Sequence, residues 1–120
     1  MTVSQPSQGQ PSKGPDPYRV AYWGQVRDTV KVLVDRADRL GIGSEARTAL
    51  REIDYRLRIY PQFGEQLRDL LTPGHSQWHA IYWDLHVEYV IDELHRLVFV
   101  VIPPRPLPRS PLYVPDAPAP

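Results

Sequence analysis

Proline placement constrains this chain more than any other feature. Of fourteen prolines, four fall in residues 1–17 (Pro6, Pro11, Pro15, Pro17) and eight in residues 103–120 (PPRPLPRSPLYVPDAPAP), which leaves Pro61 and Pro73 between them. Proline fixes φ and lacks an N–H, so a proline-dense stretch cannot continue a helix or join a central strand. Residues 1–17 also carry almost no apolar side chains to offset the entropy of ordering, and are expected as a disordered tail. Residues 106–120 are expected as a second, proline-rich tail, polyproline-like from Pro103 onward. Its PxxP spacing also suits an SH3-type partner, although that motif is too short to be specific. About residues 18–105 remain, enough for one domain.

Composition closes several functional routes. The 120 residues hold fourteen basic and fourteen acidic side chains, so no global charge draws the chain to nucleic acid. There is no cysteine, which excludes disulfides, thiol nucleophiles and Cys-ligated zinc. No apolar run approaches the roughly 18–20 residues of a membrane helix, so no membrane partner is expected. The opening MTVSQPSQGQPSKGPDP has no apolar h-region, so the default expectation is a cytoplasmic protein. A Gly-rich phosphate loop and a G-x-S-x-G elbow are both missing. His75, His79, His86 and His95 lack a metal-ligand spacing, so neither metal nor cofactor is expected.

Tyr18 to Trp23 alternates aromatic and small residues and predicts a short strand. Val26, Val30, Leu33, Val34, Ala37 and Leu40 trace one helical face, stopped by Gly41 and Gly43. Ser44 is the expected N-cap of a second helix carrying Ala46, Ala49, Leu50, Ile53, Leu57 and Tyr60, which Pro61 ends. Gln66 to Leu71 is short and only partly alternating. Trp78–Tyr82, Leu85–Ile91 and Leu97–Ile102 predict three strands. The fold class is α+β, in the order β-α-α-β-β-β, with a helical hairpin on one face of a small, mostly antiparallel sheet.

Strand parity locates a candidate site. If Trp83-Asp84 is a two-residue turn, Tyr82 faces Leu85, Ala80 faces Val87 and Trp78 faces Tyr89, an apolar set for the helices. The opposite parity places His79 across from Glu88 and Ile81 across from His86 on an open face. Two imidazoles and a carboxylate could serve acid–base chemistry, although polar residues also belong on any solvated sheet face. Pairing Asp92 with Leu97 puts Val98, Val100 and Ile102 toward the helices. Phe99 and Val101 then stand on the open face beside Val90. That face is more apolar than a wetted surface should be, which points to protein binding or to cover by a tail folded back through Leu107, Leu112 and Tyr113. Trp83, at a turn, is a further candidate contact residue. Residues 61–102 carry two basic and six acidic side chains, the wrong balance for holding a phosphate backbone.

Two passages resemble the RelE/ParE superfamily of bacterial toxins. IYPQFGEQLRDL (59–70) is similar to the family's "NP..G..L..L" passage, and LHVEYVIDELHRLVFVVIPPR (85–105) to its "YRVIYEIDDE..VVVV..I..R" hairpin. The resemblance implies a toxin of a type II toxin–antitoxin pair that inhibits a cellular target and is neutralised by a cognate antitoxin. RelE-like members cleave messenger RNA in the ribosome with residues of the open sheet face, whereas ParE-like members act on DNA gyrase. His86 falls where RelE-like nucleases usually carry an arginine. Arg105 falls near the arginine that follows the last strand, and Tyr113 could stand for a C-terminal tyrosine. The family's lysine cluster is missing. The alternative expectations are an endoribonuclease using His79, His86, Glu88 and Arg105, and a non-toxic relative acting through interactions alone.

Overall fold

Gly41 makes the helical hairpin. In the computed structural model, which describes residues 16–115, α1 spans Gly24–Arg39 and α2 spans Gly43–Ile59. Gly41 sits at φ +79°, the left-handed region that a side chain disfavours. There the Ile42 N–H donates to the Ala37 carbonyl at 2.9 Å and the Gly41 N–H to that of Asp38 at 3.1 Å. This pair of bonds is the Schellman closure, and it turns the chain straight into α2. Ile42, and not the expected Ser44, is the N-cap of α2, and no side chain caps it. Pro61 ends α2 and opens one turn of 3-10 helix, Pro61–Phe63.

The sheet has five strands: β1 (Arg19–Tyr22), β2 (Glu65–Asp69), β3 (His75–Tyr82), β4 (Leu85–Asp92) and β5 (Leu97–Pro106). Their spatial order is β1-β5-β4-β3-β2. The fold class is α+β, as the sequence predicts, with one more strand than the expected order. Glu65–Asp69 joins the edge despite its weak alternation, and β1 runs parallel to β5. The two stripes of α1 and α2, the even-numbered residues of β3 and the odd-numbered residues of β4 close one core. It contains Val26, Leu33, Ala37, Ala46, Ile53, Leu57, Leu85, Val87, Tyr89 and Ile91. Tyr89 is fully buried and donates its hydroxyl to the Pro61 carbonyl at 2.6 Å, so the buried phenol is satisfied.

The β3–β4 register is the one that parity predicts. Trp83 and Asp84 have φ 54° and 56°, the paired left-handed values of a type I′ turn. Tyr82 then pairs with Leu85, His79 with Glu88 and Ile81 with His86. On the far side Asp92 pairs with Leu97 as expected, but the register shifts between Glu88 and Tyr89. Tyr89 pairs with Val100 and Glu88 with Ile102, so Val101 is an inserted residue. The insertion moves Ile102 to the face of Glu88, which corrects its expected place toward the helices.

The C-terminal prolines also depart from expectation. Pro103, Pro104 and Pro106 belong to β5, an inner strand of the sheet. They are tolerated because β1 pairs β5 only through Val100, so the strand beyond has a neighbour on one side alone. The chain then bends back: the Leu107 N–H donates to Asp84 O at 2.8 Å, and Arg109 Nε donates to Asp84 Oδ1 at 2.6 Å. Leu112 is fully buried in the core, and Arg36 of α1 holds its carbonyl at 2.8 Å. The described part of the tail therefore closes over the helical side through Leu112 and not over the open face. The expectations for residues 1–15 and 116–120 lie outside the described residues. Among the described residues no helix is long and apolar enough to cross a membrane.

Candidate functional site on the open sheet face

β3, β4 and β5 bring His79, His86, Glu88 and Arg105 onto one face, and β2 adds a residue that parity arithmetic missed. Glu65 pairs with His79 across the β2–β3 ladder, and its carboxylate Oε1 lies 3.2 Å from His79 Nε2. His79 Nδ1 lies 3.0 Å from His86 Nε2, and His86 Nδ1 lies 3.2 Å from Arg105 Nη2. Four side chains from four strands thus form one continuous relay.

The donors and acceptors of the relay fix its protonation. A guanidinium only donates, so His86 Nδ1 accepts from Arg105. The proton of a neutral His86 then sits on Nε2 and is donated to His79 Nδ1. His79 keeps its own proton on Nε2, which it donates to the Glu65 carboxylate. Every link is satisfied with both imidazoles neutral, an assignment that follows from the partners. Burial lowers the pKa of His86, and the nearby Arg105 charge lowers it further against the opposing pull of Glu88. His86 is thus held as a neutral base at a pH where a free imidazole would begin to charge.

Glu88 plays a different part from the one its position suggests. It stands opposite His79, yet its carboxylate accepts from Gln77 Nε2 at 3.5 Å and lies 3.9 Å from Arg105. It therefore balances the arginine and leaves His79 to Glu65. Gly64 secures the outer end of the relay. A Cβ there would overlap the His79 carbonyl, so glycine lets β2 approach β3 and present Glu65.

The apolar candidates lie further along the same face. Val90 and Phe99 are directly paired, and the Phe99 ring stacks on His75 with centroids 6.5 Å apart. Val101 is the half-buried inserted residue of β5. Ile81 is 52% exposed beside the relay. Trp83 is not on this face; it packs against the core at the hairpin tip, beside Ser44 and Thr48 of α2. Tyr113 and Arg105 border one groove with Thr29, Val32 and Arg36 of α1.

A second histidine cluster closes the other end of the sheet. The buried Asp92 accepts from the His95 N–H at 3.1 Å and from His95 Nδ1 at 2.8 Å, with His75 Nε2 at 3.6 Å. Burial alone would raise the Asp92 pKa, but the His95 bonds hold it below the usual carboxylate value. Among the described residues, no group of three His, Cys, Asp or Glu side chains could hold a metal ion. No protein-family model, curated protein or solved structure matches the chain.

Proposed function

We propose that this protein is a toxin-like member of a type II toxin–antitoxin pair. Its open sheet face engages a cellular target in the cytoplasm and is masked by a cognate antitoxin. One observation carries the reading: the open face joins a polar relay to an apolar strip at Val90 and Phe99, and the described part of the tail leaves both uncovered. The reading also draws on the RelE/ParE resemblance of residues 59–70 and 85–105, whose implied β-α-α-β-β-β order differs from the observed one by a single added strand. The test is induced expression in a bacterial host, alone and together with the product of the neighbouring reading frame. Growth arrest relieved by that product, with complex formation lost in Phe99→Glu, supports the proposal. Unimpaired growth with no complex removes it.

The neutral His86 beside Arg105 favours a second reading, that the toxin is an endoribonuclease. A phosphate drawn to Arg105 would free His86 Nδ1 to take the proton of a ribose 2′-hydroxyl. The 2′-oxygen then attacks phosphorus as the bond from phosphorus to the 5′-oxygen breaks, the 5′-oxygen takes its proton from solvent water, and a 2′,3′-cyclic phosphate results. ParE-like action on DNA gyrase is distinguished by a DNA-damage response without RNA cleavage. His86→Ala that leaves cleavage or toxicity unchanged removes the nuclease reading.

A further inference from the structure

β2 is an outer strand of the sheet, and its free edge carries a self-complementary pair of charges. All five of its residues, Glu65–Asp69, are exposed. On a regular strand Glu65 and Arg68, three positions apart, would point to opposite faces. The ladder to β3 overrides that spacing. Glu65 pairs with His79 and Arg68 with Gln77, and the register shifts between Gln66 and Arg68, which makes Leu67 an inserted residue. His79 and Gln77 are two positions apart on β3, so Glu65 and Arg68 both stand on the open face.

Neither charge is fully matched within the chain. The Glu65 side chain is 85% exposed, and its carboxylate meets His79 at 3.2 Å. Arg68 has no carboxylate within 4.0 Å among the described residues. The neighbouring Asp69 carboxylate already accepts from Gln66 Nε2 at 2.6 Å. When two copies of β2 run antiparallel about a two-fold axis between Gln66 and Leu67, Glu65 of each stands directly opposite the partner's Arg68. Opposed residues of an antiparallel pair share a face, so both ion pairs form on the open side. Moving the axis to Leu67 would set Glu65 against the partner's Asp69, and like charges directly opposite repel. An edge bulge usually discourages pairing, since it puts a strand out of step with a regular one. Two copies of this edge carry the same insertion beside the axis, so their parities match.

We propose that the protein self-associates through β2, as a two-fold dimer in which the partner's Arg68 completes the Glu65 end of each relay. The two five-stranded sheets then continue into one another, with Leu67, 43% exposed, at the seam. Each relay runs from one cation, the partner's Arg68, through Glu65, His79 and His86 to another, Arg105. A five-residue edge is small against the roughly 1,200–2,000 Å² that standard interfaces bury, so association is weak and concentration-dependent. The inference rests on the register of β2 and is independent of the toxin reading.

The experiment follows the full chain by analytical ultracentrifugation from micromolar to millimolar concentration. The parent is expected to pass from monomer to dimer, and its His79 ring signals are expected to move with concentration. Arg68→Glu and Glu65→Arg each set like charges opposite one another at both pairs, and each is expected to weaken self-association about tenfold or more. Mixed together, the two variants are expected to associate about as well as the parent, because each then meets its opposite charge at both pairs. Circular dichroism checks that both fold. If Glu65→Arg fails to fold, the parent and Arg68→Glu still decide. A parent that stays monomeric throughout overturns the proposal. So does a dimer that Arg68→Glu leaves as tight as before, or a pair of folded variants that stay apart when mixed.

Discussion

His79 and His86 meet across the β3–β4 hairpin with Nδ1 and Nε2 3.0 Å apart and their ring planes at 77°, although they are not directly paired in the ladder. The contact is diagonal. His86 is opposite Ile81 and His79 is opposite Glu88, and the imidazoles reach each other across the face between those pairs. This diagonal turns two separate cross-strand pairs into one relay from Glu65 to Arg105.

The relay makes the protein sensitive to acid near neutrality. The His86 pKa lies below its ordinary 6.5, so the unfolded chain binds more protons than the folded chain as the pH falls through this range. The neutral-His86 contribution to stability is complete above about 6.5 and is lost as the pH drops through the depressed folded value. The loss of melting temperature from pH 7.5 to 5.5 should therefore be smaller in His86→Gln than in the parent. Equal losses in the two proteins would contradict this.

Arg105 depresses the His86 pKa and donates to its Nδ1. In Arg105→Ala the imidazole should titrate at higher pH, read from its Cε1–H chemical shift. Because the Arg105 side chain is 62% exposed, stability should change by no more than about 0.5 kcal/mol. Under the proposed function the same variant should lose growth inhibition while keeping its fold.

Leu112 is a core residue carried by a proline-rich segment. Leu112→Ala should cost about 2–5 kcal/mol in chemical denaturation, the range for an enclosed leucine. Truncation after Pro106 should destabilise at least as much, because it also removes the bonds to Asp84 and Arg36. A truncated chain as stable as the parent would show that the segment is dispensable.

Gly64 faces backbone, which cannot swing aside as a side chain would. Gly64→Ala should cost about 3 kcal/mol, the upper end of ordinary overpacking. It should also shift the His79 ring signals, since Glu65 moves with β2. Gly24, whose added Cβ meets nothing within 4 Å, is the control, and Gly24→Ala should be close to neutral.

Local rules made much of this fold legible. The spacing of Val26, Val30, Leu33 and Ala37 defines a helical face whatever surrounds it, and Gly41 permits the only local conformation that closes the turn. The two-residue turn at Trp83-Asp84 sets the parity of every residue from His79 to Glu88, so the shared face of the histidines could be read from the chain. Contacts between distant segments could not. Glu65 reaches His79 only because β2 adds to the sheet edge, and its pattern of alternation is too weak to announce a strand. Val101 is inserted into β5, which flips Ile102, because the β4 ladder imposes it. Leu112 enters the core because the fold leaves a space beside α1, a property of packing that no local run of residues encodes. The sequence alone therefore determined elements and parity, which depend on neighbours along the chain. The tertiary structure decided the relay partners and the path of the tail, because those depend on which surfaces the folded layers leave unfilled.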